Sequence, residues 1–207
     1  MRILNQITFA TLIGLVFYSC KKESLSPLPV FETGATAFGK LESGRFKANG
    51  MDTSKVVISI SWNDYGKNVP ITKIEAYVHW VESYYDTIKQ VDVEVEHFGP
   101  VGKTDASLVI DKPTARQQYP LTITPDKVFN LFKDAKRKYN GATEVNVFQN
   151  PEIPRSDPKK RFRVGDRFYL TYYLYAADGR IFKSWSESIQ NLEVAGANTQ
   201  IDWEVKP

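Results

Sequence analysis

From Arg161 to Trp185 the chain reads RFRVGDRFYLTYYLYAADGRIFKSW, and no other stretch restricts the fold as tightly. Phe168, Leu170, Tyr172 and Leu174 alternate onto one face, with Tyr169, Tyr173 and Tyr175 on the other, which is the two-residue period of a strand. Asp178-Gly179 can take the two positive φ angles of a tight type I′ hairpin turn, and Ile181, Lys183 and Trp185 then resume the alternation. A β-rich domain is expected, with this hairpin at its centre.

Further strands follow the same rule. Val56, Ile58, Ile60 and Trp62 form one inward face, and Ile74, Ala76, Val78 and Trp80 another, leaving Glu75, Tyr77, His79 and Val81 outward. Val91, Val93 and Val95 define a strand whose other side carries Asp92, Glu94 and Glu96. Leu108 with Ile110, then Tyr119, Leu121 and Ile123, predict two short strands, and Ile201, Trp203 and Val205 a final one. Between Phe31 and Asn49 the glycines and small residues predict only an irregular edge strand and loops.

One helix is expected at about 125–139. Thr124 suits the N-cap, Pro125 the first turn and Asp126 the positive end, while Val128, Leu131, Phe132, Ala135 and Tyr139 recur at helical spacing. Lys133, Lys136, Arg137 and Lys138 would then occupy the last turns, where cations favour the helix dipole. The three prolines of NPEIPRSDPKK, Asn150 to Lys160, exclude a helix interior or a central strand and predict an exposed loop.

The N-terminus carries a different signal. Met1-Arg2 is a positive start, Ile7 to Tyr18 is an apolar run interrupted by Thr8, Thr11 and Gly14, and Ser19-Cys20 places a small residue before a cysteine. The run is short for a spanning helix. It resembles a bacterial lipoprotein signal peptide, although Phe17 stands where leucine is commonest. The resemblance implies a signal peptide over 1–19, lipid attachment at Cys20 and a flexible tether over 20–30, ahead of a domain at 31–207. Cys20 is the chain's single cysteine, and lipidation gives it a reason to be there.

Phe31-Glu32-Thr33-Gly34-Ala35, the segment TITPDKVFNLF and the segment VGDRFYLTYYLYAADGRIF together are similar to an Ig-like β-sandwich family of lipoproteins from Bacteroidetes. That resemblance covers about Phe31 to Trp185. It implies a mainly β fold, a single sandwich of about 7–9 antiparallel strands with one short helix. It also implies an outer-membrane, cell-surface location and association with transporters and binding lipoproteins that import glycans or peptides. The family lends no catalytic residues. The chain departs from the family pattern in the longer, basic segment from Lys133 to Arg167.

The residues themselves offer little chemistry. His79 and His97 are the only histidines, and neither a nucleophile elbow nor a Gly-rich phosphate loop is present. Asp92, Glu94 and Glu96 read as a solvated strand face, and NDYGKN at 63–68 as a turn lacking the calcium-loop ligand series. No metal or cofactor is expected. With 27 Lys+Arg against 24 Asp+Glu, the charge is too balanced for a general nucleic-acid binder. Asp86-Thr87-Ile88 also resembles the short O-glycosylation motif used in this bacterial group. The candidate ligand or partner residues are aromatic: Trp62, Tyr65, Tyr77, Trp80, Tyr84 and Tyr85, with Tyr169, Tyr173 and Tyr175. Rings at a sheet face can stack on sugars, and the same rings can also fill a sandwich core. The expectation is a non-catalytic binding or accessory subunit of an outer-membrane uptake complex. The alternatives are an assembly lipoprotein that binds only protein and, third, a hydrolase.

Overall fold

The computed structural model describes residues 34–64, 66, 68–98, 105–140, 143–155, 161–183 and 201–207. The leader, Cys20, the tether, Tyr65 and Trp185 lie outside the described residues.

The fold is mainly β. Among the described residues, nine strands form one curled mixed sheet: β1 (Thr36–Lys47), β2 (Lys55–Asn63), β3 (Ile71–Asp86), β4 (Val91–Phe98), β5 (Val109–Asp111), β6 (Tyr119–Ile123), β9 (Arg167–Ala176), β10 (Ile181–Lys183) and β11 (Ile201–Lys206). The main path runs β4-β3-β9-β11-β1-β2-β6, with β5 beside β3 and β10 beside β9. A separate pair joins β7 (Lys136–Arg137) to β8 (Val145–Asn146). The inward residues of both halves of the path, among them Ile58, Ile60, Val78, Leu170 and Tyr172, share one core, so the curled sheet folds its two halves over that core as a sandwich.

β9 is the middle of the larger half. One edge pairs with β3 from Ile71↔Ala176 to Val81↔Arg167, and the other with β10 and then β11. Phe168, Leu170, Tyr172 and Leu174 are fully buried, as the alternation requires. The turn after it differs from the expected type I′. Only Gly179 takes a positive φ, 89°, and its N–H donates to the Ala176 carbonyl at 3.1 Å. This is a type I turn closed by a left-handed glycine, so the loop is one residue longer.

Three further expectations are corrected. The Phe31–Asn49 region holds a twelve-residue strand, β1, and the joint between the two halves. Its neighbours are β2, antiparallel, and β11, parallel through Phe46↔Val205 and Lys47↔Lys206, so the strands are not all antiparallel. The glycines that suggested loops are required by close approach. A Cβ on Gly39 would sit 1.9 Å from the Tyr172 hydroxyl oxygen, and one on Gly44, at φ 89°, would sit 2.0 Å from the Lys55 carbonyl oxygen.

The helix, α1, spans only Pro125–Phe132. Thr124 caps it as expected, its Oγ1 accepting from the Lys127 N–H at 3.3 Å. Beyond Phe132 the backbone leaves the helix: the Asn146 side-chain amide donates to the Lys133 carbonyl, and Val147 N–H donates to the Ala135 carbonyl. Lys136 and Arg137 therefore lie on β7, and the helix dipole has no part in placing them.

The proline-rich loop is not wholly exposed. Asn150 and Arg155 are buried, because they complete an ionic network under the sheet. Glu82, on the inward face of β3, accepts from Asn150 Nδ2 and Arg155 Nε at 3.3 Å each, and from Tyr139 Oη at 2.9 Å. Arg155 makes a bidentate pair with Asp166 at 2.6 and 2.8 Å, and its guanidinium lies 5.0 Å from the Trp80 ring. His97 Nε2 lies 3.1 Å from Glu82 on the same inward side. The network ties Tyr139, Asn150, Arg155 and Asp166 to the sheet. Among the described residues, no helix is long and apolar enough to cross a membrane.

Candidate functional site

Strand parity places a second set of side chains on the outer face of the larger half. Tyr169, Thr171, Tyr173 and Tyr175 of β9 stand opposite His79, Tyr77, Glu75 and Lys73 of β3 in that order. β4 adds Phe98 beside His79, β11 adds Asp202 beside Tyr169 and Glu204 beside Arg167, and β10 adds Ile181 and Lys183. The face is a ladder of tyrosines with charged groups between them.

At one end, the Glu75 carboxylate collects three donors. Tyr175 Oη donates at 2.6 Å and Lys73 Nζ pairs at 2.6 Å, and the Tyr77 hydroxyl donates as well. Burial pushes the Glu75 carboxyl up, but these partners outweigh it and hold it below the usual carboxylate range. Burial, then the neighbouring Glu75, pushes the Tyr77 and Tyr175 hydroxyls up. Both tyrosines therefore stay neutral donors. Lys73 also lies 4.3 Å from the Tyr175 ring centre and Lys183 5.2 Å from that of Tyr173, so two cations rest against aromatic faces.

At the other end, His79 stacks on Tyr169 with ring centres 4.4 Å apart and planes 6° from parallel, while Phe98 meets it edge-on at 5.3 Å. His79 Nε2 and Thr171 Oγ1 are 2.9 Å apart. Burial pushes the histidine down to about 4 and the Glu96 carboxyl up. Glu96 Oε1 lies 3.4 Å from His79 Nδ1, too long for a strong hydrogen bond to offset that burial. Beside this stack is a groove of about 440 Å³, lined in part by Val81, Arg167, Tyr169, Asp202 and Glu204. Its volume is that of a small-ligand cleft.

The nine aromatic candidates separate into groups. Tyr169, Tyr173 and Tyr175 stand together on the outer face, half-buried. Tyr77 joins them but is buried, its ring 4.7 Å from Tyr173. Trp62, Trp80 and Tyr84 are set aside as ligand candidates: the two tryptophans take the inward places their parity predicts, and Tyr84 is buried on the inward side of β3. Trp62 donates from Nε1 to the Pro113 carbonyl, Trp80 stacks on Phe148 at 5.1 Å and Tyr84 packs edge-on to Tyr139. Tyr85 is exposed near the far end of β3. Thr87 and Ile88 of the Asp-Thr-Ile segment are exposed in the turn that follows, where Thr87 Oγ1 donates to Glu152 at 2.9 Å. Phe98, Asp202 and Glu204 were missed. Parity on β4 and β11 would have found the face they share, but pairing partners cannot be read from one strand alone.

Among the described residues, no group of three His, Cys, Asp or Glu is placed to hold a metal ion. The groove offers a stacking floor with charged walls, which suits reversible recognition of a flat, hydroxylated or amide-bearing ligand.

No family model matches the sequence, and no curated protein matches it. Among solved structures, a protein named as ApaA from Bordetella pertussis aligns over 75% of this chain and 89% of its own, at 11% identity and a TM-score of 0.25. The structural-genomics target SoR45 aligns over 84% of this chain and 86% of its own, at 16% identity and a TM-score of 0.23. Likeness at this level fixes no function.

Proposed function

We propose that the chain is a non-catalytic, lipid-anchored binding or accessory subunit of an outer-membrane complex that takes up glycans or peptides. The observation that carries the binding role is the groove beside Tyr169. A half-buried ring is held flat by the stack on His79 and flanked by Arg167, Asp202 and Glu204. A sugar ring presents an apolar face to such a floor and its hydroxyls to such walls. The anchoring half of the proposal rests on the leader and Cys20. Lipid and tether would hold the sandwich beside a transporter and raise the local concentration of its ligand without changing bonds.

Two measurements test the halves separately. Cells fed an alkyne fatty acid should label the wild-type chain and not Cys20→Ser; equal labelling of both, or of neither, contradicts lipid attachment at Cys20. A glycan array probed with the full chain in mild detergent should give signals that Tyr169→Ala abolishes. A blank array favours the second reading, an assembly lipoprotein that binds only protein. That reading has its own support in the exposed apolar residues Phe98 and Ile181 at the margins of the same face.

A further inference from the structure

The smaller half of the sheet ends in a cluster of cations. Arg45 of β1 and Lys55 of β2 are direct cross-strand partners, and Lys47 follows two residues after Arg45 on the same outward side. All three are exposed. Like charges directly opposite each other destabilise an antiparallel pair, and an acid at either position would stabilise it. Among the described residues no carboxylate pairs with any of the three. Glu42, also on β1, is held by Lys40 at 2.9 Å and Ser59 at 2.6 Å.

The cations border a cleft of about 700 Å³. Its outline comes from two left-handed glycines: Gly44, just past the β1–β2 register shift between Leu41 and Ser43, and Gly50, at φ 87°, which leads into the short 3-10 turn Met51–Thr53. The Thr53 and Ser54 hydroxyls donate to the Gly50 and Met51 carbonyls at 3.0 and 2.8 Å. Those protons hold the turn. Arg45, Lys47 and Lys55 are the cations of the cleft lining.

We infer that this cleft binds a multivalent oxyanion, a phosphate or sulfate group carried on a soluble ligand. Arginine offers a planar fork that matches two oxygens of such a group, and the lysines add point charges around it. The concave outline suits a compact group better than a flat bilayer.

Calorimetric titration of the full chain in neutral detergent with sodium pyrophosphate tests the site. The expected result is saturable binding that Arg45→Gln and Lys55→Glu each weaken by about tenfold or more. Lys55→Glu sets an acid opposite Arg45, so it should melt no lower than the wild type. Absence of saturable binding, or affinity unchanged in Arg45→Gln, overturns the inference. So does a Lys55→Glu protein that melts well below the wild type, because the cations would then be serving the fold. Binding to phosphatidylglycerol vesicles that both variants lose, with none to pyrophosphate, would overturn the soluble-ligand assignment. Pyrophosphate binding does not depend on Cys20, so its failure is distinct from failure of the anchoring reading.

Discussion

Arg155 is the residue whose loss should cost most. It is buried between Glu82 and Asp166, and Arg155→Met would leave two carboxylates in the core without their cation. Removing one partner of such a pair costs about 3–5 kcal/mol, so urea denaturation should show a loss of that size. His79 makes a prediction in pH. Its folded pKa, about 4, lies below the unfolded value of 6.5, so the native state binds fewer protons between those limits. The stability from burying it neutral is present above about pH 6.5 and is lost as pH falls through about 4, on the order of 3 kcal/mol in all. Glu96, raised by burial, contributes with the opposite sign. The test is therefore the difference between wild type and His79→Gln, whose stability should fall less over that window. Neither role was legible in the sequence. Arg155 sits among prolines that rule out regular structure but do not rule out burial, and the outward parity of His79 was read without the Tyr169 ring and Glu96 that cover it.

At the scale of elements, alternation placed most strands correctly and failed where backbones crowd. β1 was hidden because Gly39 and Gly44 look like loop residues, yet each marks a close approach to another part of the sheet. Gly39→Ala should destabilise by about 1–3 kcal/mol, the usual cost of overpacking. Gly44→Ala should cost more, because its Cβ meets the Lys55 backbone at a left-handed φ, whereas Gly39 meets the ends of side chains. Comparing the two denaturation midpoints checks that order. The start of α1 was legible because Thr124, Pro125 and Asp126 act locally; Thr124→Ala should cost about 1 kcal/mol. Its end was not legible. Ala135 and Tyr139 keep helical spacing, but Tyr139 is drawn to Glu82 and the Lys133 carbonyl to Asn146, and these distant partners override the period.

For the molecule as a whole, the sequence made the mainly β sandwich and the outward tyrosines of β9 legible, since both follow from period and parity. The groove was not legible, because it exists only where β3, β9 and β11 lie side by side. If this lipid-tethered sandwich joins an uptake complex and presents the Tyr169 face to the ligand, purification of the full chain from its own envelope in mild detergent should recover it in a stable complex with an outer-membrane transporter. A wild-type chain recovered alone would overturn the accessory-subunit reading.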